Sequence, residues 1–315
     1  MERKKLVGLR PQEYEHPFDR SALDKLQHTA GLQTLVRKCT EWGLERVLRV
    51  QFTGSNLRVT EDNFPEFHEK VLTACQILDL PKVPEVYICA GAEIEAMIVG
   101  VDHPLLVVTA GSIDLLRDEE LTFVIGHELG HIKSGHVLYH EIAQFLPLMA
   151  DVIGSATFGF GELASMGAQI ALLNWQRTSE FTADRAGLLV CQDPEVALAA
   201  MVKLAGLPHK YREAINTEDF ISQARAFEAL DQDKLSWVWK GLSIMGETHP
   251  WTVMRAQQLL GWIDAGDFLR VRDAERTATV VPPTDGPCFC TRCGRALTGV
   301  ESFCPGCGSR LKRRC

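Results

Sequence analysis

The sequence predicts an α+β fold that is mostly α-helical, with one large domain and a small C-terminal appendage. Apolar residues recur at helical spacing over 119–136, and residues 194–272 are helical in pattern almost throughout. A strand-like run from Leu105 to Thr109 precedes the first of these segments. A length of 315 residues with 46% hydrophobic content is sufficient for such a domain and its core.

The first 80 residues are expected to lead into the large domain and to pack on it. Amphipathic helices are predicted over 20–43 and 64–79, because their apolar residues return at helical spacing. Residues 46–60, between them, are predicted to form two strands that turn at Gly54-Ser55-Asn56. The main domain is then predicted over residues 81–275.

The segment His127-Glu128-Leu129-Gly130-His131 carries the clearest chemical signal in the chain. Residues four apart lie one above the other on a helix face, so both imidazoles can bind one Zn²⁺ with Glu128 beside them as a general base. Asp118 is the predicted N-cap of a helix over 119–136. The simpler alternative is a surface helix that carries two histidines and a glutamate by chance.

A catalytic zinc needs a third protein ligand and an open fourth position. Glu180 is the best candidate, and Asp184 follows it at the helical spacing of four residues. Asp184 is therefore expected to accept a hydrogen bond from the nitrogen of a ligand histidine that does not face the metal. Two helices together would then form one site.

The combination of H-E-x-x-H at 127–131 with R-x-x-E-x-x-A-D-x-x-G at 177–187 resembles the gluzincin metallopeptidases of the HtpX and CAAX-prenyl-protease type. The resemblance implies a zincin-like core, with His127, His131 and Glu180 as zinc ligands. It further implies that Glu128 is the general base and that Asp184 contacts a ligand histidine. The resemblance covers about residues 80–265.

Further matches to these metallopeptidases are His136, and Thr248-His249-Pro250 with Arg255. In that family this histidine lies close to the zinc, so His249 is predicted to stabilise the oxyanion, or else to occupy the fourth coordination position at rest; a helix-capping histidine before Pro250 is the structural alternative. The substrate strand reads Glu95-Ala96-Met97, where relatives often have Asn-Ala-Phe. A metzincin is excluded because it needs a histidine at position 137, which is Val137.

Two C-x-x-C-G segments, fourteen positions apart, predict a zinc ribbon over 288–315 after a proline-rich linker at 276–287. Its four ligands would be Cys290, Cys293, Cys304 and Cys307. Because these leave no open coordination position, this second zinc is expected to be structural. A redox motif and a disulfide-stapled tail are the alternatives.

The location and partners follow from charge and hydropathy. The N-terminus shows no signal peptide, and ten cysteines suit a reducing compartment, so a cytoplasmic protein is expected. Its partner would be a peptide or protein substrate. Peripheral membrane association through 142–176 is a candidate, because its uncharged runs are too short to span a bilayer. The basic C-terminus is interpreted as solvated rather than as a nucleic-acid site.

The predicted function is a zinc-dependent endopeptidase, with protein quality control as a candidate role. The competing class is a non-catalytic, zinc-stabilised scaffold whose ribbon binds protein or nucleic acid. An intact Glu128 favours the enzyme, because a scaffold has no need for a base beside an open zinc position. The sequence leaves the oligomeric state and the substrate undetermined.

Overall fold

The computed structural model describes residues 3–28, 43–143, 166–211, 216–229, 251–276, 288–289 and 296–297. In this part of the chain, helices surround a small sheet, which confirms the α+β, mostly α fold class. The α-helices are α1 (Pro17–Gln27), α2 (Leu44–Ser55), α3 (Pro65–Ile77), α4 (Ala110–Leu115), α5 (Asp118–Ser134), α6 (Met166–Cys191), α7 (Pro194–Leu204), α8 (Thr217–Ala229), α9 (Thr252–Asp264) and α10 (Asp267–Asp273). Residues 137–143 are also helical.

The main sheet contains β1 (Leu57–Val59), β2 (Glu85–Cys89), β3 (Ala96–Val99) and β4 (Leu105–Thr109) in the order β1-β2-β4-β3. β2 and β4 run parallel, while β1 and β3 are antiparallel to their neighbours. All five residues of β4 are buried, as expected for a central strand. β3 is left at the edge of the sheet, against α5.

The core lies between one face of the sheet and the helices α3, α5, α6, α7 and α9. Its fully buried members include Val71, Leu106, Ile125, Leu189 and Leu259. α5 and α6 form the most extensive helix pair, and glycines line their contact. A Cβ built on Gly130 would lie 2.5 Å from Cβ of Ala186, and one on Gly126 would lie 2.6 Å from Cβ of Val190. The two helices can approach this closely only because these positions lack side chains.

The predicted helix over 119–136 is confirmed with shifted ends. α5 begins at Asp118 and ends where Gly135 adopts a left-handed conformation with a φ of 72°. Arg117, not Asp118, is the N-cap, because the Glu120 side chain accepts a hydrogen bond from the Arg117 backbone N–H at 2.6 Å. The predicted helix over 64–79 is confirmed by α3.

The predicted strand pair over 46–60 is wrong. Most of this segment is α2, and only Leu57–Val59 forms a strand. In a strand, Leu48 and Val50 would lie on the same face, but Leu48 is buried and Val50 is exposed. Leu48 and Phe52 lie one helical turn apart, and Phe52 packs on the apolar residues of the sheet. The predicted helix over 20–43 is represented by α1, and residues 29–42 lie outside the described residues.

Two further predictions concern segments of which the structure describes little. Residues 144–165 of the apolar segment 142–176 lie outside the described ranges, as does most of the predicted linker. Among the helices that the structure does describe, none has both the length and the apolar content needed to cross a bilayer.

Candidate metal centre

α5 and α6 bring the three predicted metal ligands together. Nε2 of His127 lies 3.3 Å from Nε2 of His131. The carboxylate of Glu180 closes the triangle, with Oε2 3.4 Å from Nε2 of His127 and Oε1 3.4 Å from Nε2 of His131. All three residues are buried. Glu180 therefore offers a different carboxylate oxygen to each imidazole, and the three side chains converge closely enough to hold one metal ion.

The dimensions and chemistry of this triangle fit a divalent metal. Ligand atoms about 2.0–2.1 Å from a tetrahedral zinc are separated from one another by about 3.3–3.4 Å. Nδ1 of His127 faces the carboxylate of Asp184 as a hydrogen-bond donor, so Nε2 is the nitrogen that could present a lone pair to a bound metal. Two imidazoles and one carboxylate are a donor set found in catalytic zinc sites, and these three residues could hold such a metal.

Asp184 fixes the orientation of His127. Its Oδ1 lies 3.0 Å from Nδ1 of His127, and Arg255 holds the same carboxylate with contacts of 2.6 and 2.9 Å. Burial opposes ionisation of Asp184, but Arg255 and His127 outweigh burial and lower its pKa. Arg255 also reaches Glu180, with Nη1 3.6 Å from Oε2. Arg255 from α9 therefore connects the two acidic residues of α6.

The two ligand imidazoles have opposite electrostatic environments. Burial opposes protonation of His127, but the carboxylates of Asp184 and Glu180 outweigh it and raise its pKa to about 10. Burial lowers the pKa of His131 to about 4, with Glu180 acting against that shift. The difference arises because His127 contacts the carboxylates of both Asp184 and Glu180, while His131 contacts only that of Glu180 and lies against two imidazoles, those of His127 and His136.

Glu128 is placed beside the triangle and not within it. Its Oε1 lies 4.0 Å from Nε2 of His127, and its side chain is about 10% exposed. Burial raises the pKa of Glu128 to about 8, and Glu180 and Glu95 contribute in the same direction. A carboxyl group with a pKa near neutrality is suited to accept and return a proton.

A cleft of about 560 Å³ opens over these side chains. The edge strand β3 and the residues before it form one wall, with Glu95 and Met97 on the cleft. Gln176 and Thr252 contribute to the lining from α6 and α9. Hydrogen bonds to Thr109 and Ser112 fix the backbone of Glu95. The predicted substrate strand therefore lies beside the metal ligands.

The contacts around His131 include one residue that the sequence analysis did not identify. Nδ1 of His131 lies 3.1 Å from Nδ1 of His136, and Nε2 of His136 lies 3.1 Å from Oδ2 of Asp19. Asp19 is fully buried in α1. The sequence of α1 carries no motif that marks Asp19 as a site residue. Only the tertiary fold brings Asp19 next to His136.

Five predicted site residues lie outside the described residues: His249, Cys290, Cys293, Cys304 and Cys307. The structure does describe two short strands in the predicted ribbon, β5 (Cys288–Phe289) and β6 (Ala296–Leu297). These strands pair antiparallel, with Cys288 opposite Leu297. The pairing brings together the two ends of the segment that contains the first C-x-x-C.

This fold and this donor set define a metallopeptidase. A sequence model of peptidase family M48 matches residues 61–263, and the chain belongs to that family. The family assignment makes the protein a protease that acts on peptides or proteins.

Named relatives agree with this assignment. The chain is 28% identical over 271 residues to the plastoglobule-localized metallopeptidase 48 of Arabidopsis thaliana, covering 85% of this chain and 77% of that protein. It is 26% identical over 231 residues to protease HtpX homolog 2 of Methanosarcina acetivorans, covering 66% and 75%. The protease HtpX homolog of Ralstonia pickettii is 24% identical over 230 residues, covering 67% and 78%. The resemblance to HtpX proteases is thereby confirmed.

Proposed function

We propose that the protein is a zinc-dependent endopeptidase in which His127, His131 and Glu180 hold the metal and Glu128 is the general base. The observation that carries this proposal is the convergence of these three side chains, with contacts of 3.3–3.4 Å between their nitrogen and oxygen atoms, beside the buried carboxyl group of Glu128. Zinc, when bound, polarises the substrate carbonyl and lowers the pKa of a water molecule. The positive charge also favours the ionised form of the neighbouring Glu128.

The chain's own residues perform the proton transfers in this proposal. An Oε atom of Glu128 accepts a proton as water attacks the scissile carbonyl carbon. The same Oε atom then delivers that proton to the departing amine nitrogen, so the base ends the reaction in its initial state. Asp184 and Arg255 hold His127 in orientation throughout.

The cleft wall supports cleavage within an extended peptide. β3 pairs with β4 on one side only, and it is the last strand of the sheet in the described chain. An extended substrate can add to such an edge through main-chain hydrogen bonds, and side-chain pockets then select its sequence. Main-chain recognition does not require a substrate terminus, which favours an endopeptidase.

Replacement of Glu128 by glutamine tests the proposal. Glu128→Gln preserves size and hydrogen bonding but cannot accept the proton, so peptide cleavage should fall by a factor on the order of 10²–10⁴ while bound zinc is retained. Glu180→Ala should remove the zinc itself. Glu119→Gln makes the same chemical change at an exposed position of α5 and is the matched control. Equal cleavage by wild type and Glu128→Gln would reject the proposed role of Glu128.

The C-terminal prediction is retained as a separate proposal. We infer that residues 288–315 form a zinc ribbon after the linker 276–287, with the main domain at 81–275 and residues 1–80 leading into it. The antiparallel pairing of β5 with β6 supports this proposal, because it brings together the chain on either side of the first C-x-x-C-G segment. The second zinc would stabilise this unit and take no part in cleavage.

Several finer predictions rest on the sequence alone. They are a role in protein quality control, a cytoplasmic location and peripheral contact with membrane through 142–176. The resemblance to CAAX prenyl proteases also rests on the sequence motifs alone. The scaffold alternative receives no support from the described residues, because a buried carboxyl beside an open metal position serves catalysis.

A further inference from the structure

A chain of polar contacts connects His131 to α1. Nδ1 of His131 lies 3.1 Å from Nδ1 of His136, and Nε2 of His136 lies 3.1 Å from Oδ2 of Asp19. The second contact is close in distance but lacks the alignment of a full hydrogen bond. Asp19 also accepts hydrogen bonds from Nε1 of Trp175 at 3.0 Å and from Oγ1 of Thr182 at 2.6 Å. Asp19 and His136 are fully buried.

The donors and acceptors in this chain have one consistent direction. Nε2 of His131 faces the other two candidate ligands, so with a metal bound there it would present a lone pair and its hydrogen would be on Nδ1. His136 must then accept that hydrogen at its own Nδ1. A neutral His136 carries its hydrogen on Nε2, which faces the carboxylate of Asp19. An aspartate is an acceptor only, and it therefore favours this tautomer of His136.

We propose that Asp19 and His136 are positioning residues that orient His131 as a metal ligand through a directional hydrogen-bond chain. This inference rests on the proposed function, since it assumes that His131 binds the catalytic metal. The arrangement differs from that of His127, which contacts the carboxylate of Asp184 directly. Asp19 also lies outside residues 61–263, which the family model matches. α1 thus becomes part of the metal centre.

A second metal on three histidines is the competing interpretation of the same cluster. Donor atoms of His131, His136 and His140 lie within 4.8 Å of one another. However, Nε2 of His140 already lies 2.8 Å from Oγ of Ser179, and Nε2 of His136 faces Asp19. The hydrogen bond to Ser179 engages His140, and the carboxylate of Asp19 lies where a metal on Nε2 of His136 would have to sit, so these contacts favour the chain over a metal.

Zinc affinity of the full-length holoprotein, measured by competition with a chromogenic chelator, tests the inference. His136→Leu removes the acceptor and should weaken zinc binding at the catalytic site by about 10- to 100-fold. It should also change the visible spectrum of the Co²⁺-substituted protein, since the orientation of His131 is no longer fixed. His136→Gln should restore both, because its amide oxygen accepts from His131 and its amide N–H faces Asp19.

Two further variants keep the test decisive if His136→Leu does not fold. Asp19→Asn retains the shape of the side chain but removes its charge, and it should weaken zinc binding by about 10-fold. Tyr14→Phe is the matched control, because it removes a buried hydrogen bond of 3.0 Å to Ser134 of α5 without touching His131. Tyr14→Phe should lower the unfolding midpoint and leave zinc affinity and the Co²⁺ spectrum unchanged.

The outcomes separate this inference from the proposed function. Wild-type zinc affinity in both His136→Leu and Asp19→Asn would overturn the inference, as would equal losses in His136→Leu and His136→Gln. If both His140→Gln and His136→Leu lost one metal ion, His131, His136 and His140 would bind a second metal, and the inference would likewise be overturned. If the wild-type protein and Glu180→Ala instead bound the same amount of metal, the proposed function would be refuted.

Discussion

Replacement of Gly130 by alanine tests whether the close contact of α5 and α6 sets the geometry of the metal centre. A Cβ at position 130 would lie 2.5 Å from Cβ of Ala186 and 3.4 Å from Cα of Ala183. Neither neighbour can rotate away, because both atoms are fixed by the backbone of α6. Restoring an ordinary contact of about 3.4 Å or more requires the helices to separate locally by about 1 Å.

The expected cost combines two opposing effects. Alanine is favoured over glycine inside a helix by about 1 kcal/mol, which would stabilise the variant if there were space. Overpacking of a well-packed contact costs about 1–3 kcal/mol, and here it also displaces Glu180 from the two histidines. We expect Gly130→Ala to lower the free energy of unfolding by about 1–2 kcal/mol and to weaken zinc binding.

Urea unfolding of the metal-free protein and a zinc competition assay measure the two effects separately. Gly261→Ala is the matched control, because an added Cβ at this exposed position of α9 meets no atom within 4 Å. It should be neutral or stabilising by up to about 1 kcal/mol. The double variant Gly130→Ala/Ala186→Gly moves the methyl group to the other helix and should recover zinc affinity. Gly130→Ala with the stability and zinc affinity of Gly261→Ala would refute the reasoning.

Three further predictions concern other parts of the chain. Burial raises the pKa of Glu141 from an ordinary 4.5 to about 7. The folded protein therefore holds the proton more tightly than the unfolded chain does. This contributes about 3 kcal/mol to the free energy of unfolding below pH 4.5, and the contribution is lost as the pH rises through 7. Glu141→Gln can still accept a hydrogen bond from the Gly100 N–H, so it should raise the unfolding midpoint more at pH 8 than at pH 5. An equal rise at both pH values would contradict the raised pKa of Glu141. Cys290→Ser with Cys304→Ser should reduce two zinc ions per chain to one without loss of peptide cleavage, whereas an unchanged metal content would reject the ribbon. His249→Ala should lower kcat by a factor on the order of 10² if the side chain stabilises the oxyanion, or raise basal cleavage if it blocks the metal; unchanged kinetics with zinc retained would refute both roles.

The main elements of the fold could be predicted where one periodicity dominated the sequence. α5 has buried apolar residues on most of its surface and begins and ends at recognisable signals, so its prediction was correct within two residues. In α2, by contrast, Leu48, Val50 and Phe52 fit a period of two as well as a helix, and the predicted strand pair there was wrong. The choice between the two depended on which residues face the sheet, and that is a property of the tertiary fold.

The sequence by itself determined the chemistry of the centre, because H-E-x-x-H and E-x-x-x-D fix which side chains share a helix face. It thereby predicted His127, His131, Glu180 and Glu128 before any contact was known. Only the tertiary structure placed Asp19 against His136, which contacts His131. It also placed Arg255 against Asp184. The physical reason is range: helical spacing determines relations within about one turn, whereas contacts between distant segments depend on how the helices pack. The convergence of the metal ligands likewise required the close approach of α5 and α6, which their glycines permit.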